Sequence, residues 1–416
     1  MRRLVRSWFA LVSTLAIVAV ANACSSDPDL AGAGGDGSTG ADSGAQDALA
    51  IDGSSVADGA GSEAGPDPNA VCKASPLSYA VTSSRGGDTP VYVRGAVYDY
   101  APSVMKDGAT YRMWWCGGVA GDYVLSAEAT APGGPWHKRG DMTPNSYDVA
   151  LQPTGNTANF DGTHTCDPSV IRIGGTYYMY YGGAPKGTAN AEDNATAIGL
   201  ATSADGVTWS RANGGQPIVT KAATLTGKPN AYGAGQPSVT FANGKYYLLY
   251  TDTSAPGSNA SNGAGVYVLR SADPTFQSGV EELGAGGFAP FAAGTHGAFA
   301  LQQAFSVDWM YAPEFDLFIL AQASNPAPDG EPRQFNLHFY SASKLPAKEG
   351  PNNGVVSVDA HWREGAGLIT TPDRRSQSGT PCNVVPIDLL RPVGPDNNPF
   401  TYDLAYAGWD VTINSP

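Results

Sequence analysis

Positive charge is scarce in this chain. Its 416 residues hold 24 Lys and Arg against 38 Asp and Glu, a formal net charge of −14. A surface of that sign repels phosphate, so no nucleic acid is expected as a partner, and a neutral or cationic ligand is the easier match. Long apolar runs are scarce too. The one run, over residues 8–20, is too short and too early to be a membrane-spanning helix. No phosphate loop, zinc-ligand cluster or nucleophilic triad is spelled out, so neither metal nor cofactor is expected. Glycine and proline are plentiful, at 52 and 31, which argues for many turns and against long helices. Twenty tyrosines and eight tryptophans, gathered in short runs, favour strands.

The apolar run follows Arg2, Arg3 and Arg6 and ends at Ala21-Asn22-Ala23-Cys24. Positive residues, a short apolar stretch and small residues make an export signal rather than a fold element. The last four residues resemble a bacterial lipobox, with Ala21 in the place usually held by Leu. Residues 1–23 then form a signal peptide, and a lipidated Cys24 becomes the mature N-terminus. The alternative is an ordinary secretory signal cleaved nearby. The expected location is the outer membrane or cell surface, or the periplasm or exterior, with the membrane touched only through a lipid anchor. Residues 24–71 read as a disordered linker. From residue 25 to about 70 there is no aromatic, Lys or Arg, and nine acidic residues run from Asp27 to Asp67. Such a segment buries too little apolar surface to offset its chain entropy.

Residues 72–416 carry an internal repeat. Ala101-Pro102-Ser103-Val104 precedes a turn at Gly108 and the run Tyr111-Arg112-Met113-Trp114-Trp115. Asp167-Pro168-Ser169-Val170 precedes Gly174-Gly175 and Tyr177-Tyr178-Met179-Tyr180-Tyr181. Gln236-Pro237-Ser238-Val239 precedes Asn243-Gly244 and Tyr246-Tyr247-Leu248-Leu249-Tyr250. Each is a strand, a tight turn and an aromatic strand. A fourth copy, Val307-Asp308-Trp309-Met310-Tyr311, lacks the proline. A further strand ending in Ser-Ala follows each hairpin, at Ser126, Ser203, Ser271 and Ser341, and an aromatic comes after it, at Trp136, Trp209, Phe276 and Trp362. A four-strand unit recurring about every 70 residues predicts an all-β, five-bladed β-propeller with four-stranded blades. The fifth blade is expected from about residue 370 to the end. A β-sandwich is the competing architecture, but it requires no constant repeat.

The propeller makes cysteine pairing a geometric question. Cys116 ends the second strand of the first blade and Cys166 precedes the first strand of the second, so a bond between them is within reach. Cys72 and Cys382 lie near the two ends, where a bond would close the ring. The residues ahead of each Pro-Ser-Val, at 99–101, 164–167 and 232–236, converge at the axis, where a pocket is expected. His164 and Gln236 are candidates for binding there, and Tyr232, Trp115 and Trp309 are candidates for stacking on a ligand ring.

Asp167-Pro168-Ser169-Val170 with the Gly-Gly-Thr-Tyr-Tyr-Met-Tyr-Tyr after it resembles glycoside hydrolase family 43, the arabinofuranosidases, β-xylosidases and arabinanases. The resemblance implies three acids at the inner strand starts of the first three blades, acting as general base, orienting acid and general acid. Asp167 matches the second. Ala101 occupies the first position, and Asp99, two residues earlier, is the substitute on a regular strand. Gln236 stands where the third is expected, and an amide donates no proton to a leaving group. Asp252, beyond the third hairpin, is the candidate replacement, whereas Asp308 is set aside because it lies within a strand. The expected function is therefore an exported, monomeric glycosidase acting on arabinose- or xylose-containing carbohydrate. The alternatives are a degenerate propeller that binds glycans without cleaving them, and a structural lipoprotein.

Overall fold

The computed structural model describes residues 78–414 except 96, 120, 186–194, 223–231, 295, 324–334, 360–364, 378–382 and 395–401. Cys24, Cys72, Cys382, Trp362, the signal peptide and the linker lie outside the described residues. The described residues are almost wholly β, and among them helical geometry is confined to single turns of three or four residues.

The described residues open with β1 (Ser78–Tyr92). A first group of strands follows: β2 (Asp99–Asp107), β3 (Thr110–Gly118), β4 (Asp122–Ala129) and β5 (Asp148–Leu151). The second is β6 (His164–Ile173), β7 (Thr176–Ala184), β8 (Ala197–Ser203) and β9 (Ser210–Arg211). The third is β10 (Ala234–Ala242), β11 (Lys245–Asp252), β12 (Val266–Ser271), β13 (Glu281–Gly284) and β14 (Gly287–Pro290). The fourth is β15 (Val307–Ala312), β16 (Leu317–Ala323), β17 (Phe335–Ser341) and β18 (Val355–Asp359). The last is β19 (Gly367–Thr370), β20 (Val384–Val393) and β21 (Asp403–Asn414). Within each group successive strands pair antiparallel. Gly174-Gly175 and Asn243-Gly244 turn with positive φ at both residues, the backbone that two-residue hairpin turns require.

Parallel contacts of β19 with β2 and of β4 with β6 merge the last, first and second groups into one twelve-stranded sheet. The third and fourth groups are separate sheets of five and four strands. The last group differs from expectation. It begins at β19, and its outer strand is the N-terminal β1, paired antiparallel along β21 from Ser78 opposite Asn414 to Tyr92 opposite Leu404. Among the described residues, 367–414 supply three of the group's strands, and β1 covers an edge of β21 that would otherwise expose unpaired backbone. Arg85 on β1 fastens this seam, donating to Asp388 and Asp410.

Five apolar clusters lie between neighbouring groups. Trp114 packs with Val170 and Met179 between the first and second. Tyr180 packs with Val239 and Tyr267 between the second and third, and Tyr247 with Trp309 and Phe318 between the third and fourth. Ile319 and Leu337 meet Leu368 and Ile387 between the fourth and last, and Trp115 and Val104 meet Ile369 and Leu390 between the last and first. The neighbours Trp114 and Trp115 thus serve opposite faces of one sheet, as strand alternation requires. Both are buried.

The first strand of each group is tied to the next by a repeated bond. The Ser103 hydroxyl accepts from the Val170 N–H at 2.9 Å, Ser169 from Val239 at 3.0 Å and Ser238 from Trp309 at 3.1 Å. In the fourth group Asp308 takes the serine's place and accepts from Leu368 at 2.8 Å. The equivalent residue of the last group is Gly367, where a Cβ would collide with the Pro102 carbonyl. There the bare backbone lets β19 lie directly against β2.

Candidate functional site

The starts of β2, β6, β10, β15 and β19 surround an open cavity of about 360 Å³, its mouth included. One backbone feature recurs around it. Ala101, Asp167, Gln236 and Ser306 all adopt left-handed φ, at 49°, 48°, 48° and 48°, and Gly365 has φ 64°. Four of these five are not glycine, and the left-handed region costs such residues of order 1–2 kcal/mol each. The pairing of β2 with β3, β6 with β7 and β10 with β11 skips at this point. Proline has no N–H for the ladder, so each X-Pro step becomes a bulge that turns the X side chain toward the cavity.

The bulge decides which of the expected residues meet. Asp167 and Gln236 line the cavity, with Ala101, Ser306 and Gly365 at the equivalent positions. The Gln236 amide is held by its neighbour: Nε2 donates to Ser306 Oγ at 2.8 Å, and Oε1 accepts from the Ser306 N–H at 3.0 Å.

Asp99 does not line the cavity. It is fully buried, accepting from Arg94 Nε at 2.8 Å and from the Trp115 indole at 2.6 Å. Burial pushes its carboxyl above the usual range, against the pull of the Arg94 guanidinium. The expectation that positions 99 and 101 share a side assumed a regular strand, and the left-handed Ala101 breaks that alternation. Asp252 is also fully buried and away from the cavity. Its carboxylate accepts from the N–H of Ala222 at 2.7 Å and from the N–H and hydroxyl of Ser254, so it organises loops. His164 pairs with Asp122 at 2.7 Å outside the lining. Trp115 and Trp309 are buried between groups, and Trp309 stacks on Phe318 at 4.6 Å. Tyr232 is 41% exposed and does not reach the lining.

One residue of the lining and its buried partner were not expected. Asp308 lines the cavity and is ion-paired with Arg374, and both side chains are buried. Arg374 sits in the turn after β19 and gathers three groups at once. It donates to the Val239 carbonyl at 3.0 Å, to Ser103 Oγ at 3.2 Å, to Ser238 Oγ at 3.4 Å and to the Trp309 carbonyl at 3.3 Å. With Arg374 on one oxygen and the Leu368 N–H on the other, Asp308 is committed to the fold. Its signal in the sequence was its register: aligning Asp308-Trp309 with Ser-Val places it in the tying position. Arg374 had no such signal, because its side-chain partners lie 65 to 271 residues away in the chain.

Cys116 and Cys166 form a disulfide, with Cα atoms 4.7 Å apart, next to Asp167. Among the described residues no group of three or more His, Cys, Asp or Glu could hold a metal ion. Nor is any described helix long and apolar enough to cross a membrane.

No family model and no curated protein matches the chain. Among solved structures it is similar to the catalytic domain of a family 62 α-L-arabinofuranosidase from Coprinopsis cinerea, at 11% identity and TM-score 0.48, covering 79% of this chain and 97% of that one. It is similar to a family 117 glycoside hydrolase from Zobellia galactanivorans, at 12% identity and TM-score 0.47, covering 81% and 90%. It is likewise similar to an α-L-arabinofuranosidase from Lactobacillus brevis, at 9% identity and TM-score 0.47, covering 77% and 92%.

Proposed function

We propose that this chain is an exported five-bladed β-propeller of the glycoside-hydrolase kind, anchored through Cys24, that holds an arabinose- or xylose-containing glycan in its axial cavity without cleaving it. The recurring hairpins, the clusters between successive strand groups and the return of β19 onto β2 support the ring. The Asp-Pro-Ser-Val motif and its place at the cavity support the ligand class.

One observation carries the choice between binding and cleavage. Of the five equivalent left-handed positions, only Asp167 bears a carboxylate, and the others are Ala101, Gln236, Ser306 and Gly365. Glycoside hydrolysis needs one carboxyl to protonate the leaving oxygen and another to activate water or attack the sugar. Asp99 and Asp252 are buried elsewhere, and Asp308 is neutralised by Arg374.

Calorimetry with arabinoxylan oligosaccharides, beside turnover assays on aryl arabinosides and xylosides, tests this reading. Binding without turnover is expected, with Asp167→Ala weakening binding about tenfold or more, as for a lost charged hydrogen bond. Turnover that disappears in both Asp167→Ala and Asp308→Asn selects a second reading, hydrolysis by these two acids, which the presence of both in one cavity favours. Neither binding nor turnover rejects the glycan assignment.

A further inference from the structure

The hydroxyl of Ser103 stands out at the cavity floor. Ser103 is 3% exposed and lines the cavity. A serine oxygen has two lone pairs and one proton to give. Both lone pairs of Ser103 are taken by groups that can only donate: the Val170 N–H at 2.9 Å and Arg374 Nη1 at 3.2 Å. Its proton has no acceptor among the described residues. The equivalent serines differ. Ser238 gives its proton to Asp308, and Ser169, which accepts from Val239, is not part of the cavity lining. Ser103 is thus a hydroxyl that can only donate, fixed by two cross-group bonds, at the floor of a pocket whose rim holds the acceptor Asp167 and the amide Gln236.

We propose that Ser103 is a ligand-binding residue of this cavity, and that it donates to the ring oxygen of the terminal sugar unit. A donor with no remaining lone pair is matched by an oxygen with no proton; in a terminal sugar unit these are the ring oxygen and the glycosidic oxygen, and the glycosidic oxygen carries the bulk of the next unit. A ligand hydroxyl in that place would have to direct its own proton elsewhere, and the ring-oxygen orientation leaves the ligand's hydroxyls for Asp167 and Gln236. The proposal rests on the glycan reading above and adds to it the orientation of the sugar: ring oxygen toward the floor, hydroxyls toward Asp167 and Gln236.

The test is an NMR titration of the protein with methyl β-D-xylopyranoside and methyl α-L-arabinofuranoside, each beside the analogue whose ring oxygen is replaced by sulfur, a poor acceptor. The wild type is expected to bind one of the two oxygen sugars and to bind its sulfur analogue about 2- to 10-fold more weakly, the range of one neutral hydrogen bond. Ser103→Ala is expected to lose about the same factor for the oxygen sugar and to no longer distinguish it from the sulfur analogue. Ser169→Ala loses the same kind of cross-group bond away from the cavity, and is expected to keep wild-type affinity within about twofold and to keep the oxygen preference. Should Ser103→Ala fail to fold, the wild-type preference for oxygen over sulfur and its loss in Ser103→Cys decide the matter. Equal binding of the two analogues by wild type, unchanged affinity in Ser103→Ala, or an equal loss in Ser169→Ala overturns the assignment while leaving the glycan reading standing. Failure of the wild type to bind any of the four sugars overturns both.

Discussion

Two junctions of the molecule are held by different chemistry. Between the first and second strand groups, Cys116 and Cys166 are covalently joined beside Asp167. Between the fourth and last groups, the buried Asp308 receives the Leu368 N–H and the Arg374 guanidinium. Both junctions flank the same cavity, and both place a carboxylate near it. The covalent junction leaves Asp167 on the rim, whereas the ionic one consumes Asp308. A carboxylate committed to holding strand groups together is not available to a ligand, so a count of acids near a cavity overstates the chemistry of the site.

The ionic junction is expected to be the more costly to break. Arg374→Met leaves Asp308 buried without its counter-charge and should destabilise by about 3–5 kcal/mol, read by denaturant unfolding. It should also weaken glycan binding, since Ser103 loses one of its two fixed donors. Replacing Cys116 and Cys166 by serine frees a loop with a sequence separation of 50 residues, for which chain entropy gives about 4 kcal/mol at most, with strain and residual structure usually reducing it. Reductant should reproduce that loss in the wild type and leave the double variant unchanged.

Acid sharpens the contrast within the fourth group. Burial, with Lys348 Nζ 3.3 Å away, holds the His338 imidazole down at about 3. The unfolded chain takes up this proton near pH 6.5, and the folded chain only near 3. The contribution to stability is therefore intact above about 6.5 and is lost as pH falls toward 3, with a slope of at most about 1.4 kcal/mol per pH unit. His338→Gln should flatten that part of the stability profile, while the disulfide, which does not titrate, contributes no slope. The smallest effect is expected at the exposed turn after β8. There Asp205 accepts from the N–H groups of Val207 and Thr208, and its carboxyl is held down at about 2. Asp205→Ala should cost about 1 kcal/mol and leave glycan binding unchanged.

The three Pro-Ser-Val copies made the strand groups legible, because a missing N–H, a tying hydroxyl and a β-branched core residue are local needs with local signatures. The fourth copy was visible once Asp308 was allowed to stand for serine. The last was not. Gly365-Ala366-Gly367-Leu368 has neither proline nor serine, and its outer strand comes from the other end of the chain. The position of Asp167 and Gln236 at the cavity was legible because the motif names them. Asp99 was misplaced because strand alternation does not survive a left-handed residue. Trp115 and Trp309 were misread because a sequence shows an aromatic run without showing which neighbouring sheet will cover it. Ser103 reads in the sequence as part of a repeat, and its place in the cavity lining together with its bond from Arg374 separates it from Ser169.

The seam between β1 and β21 carries a consequence in time. Ser78 finds its partner in Asn414, so the first described strand to leave the ribosome waits, unpaired, for the last described one. Contacts this distant along the chain slow folding, and no truncated or nascent form can complete the outer edge of the final sheet. Until the last strand arrives, the molecule is committed to remaining open.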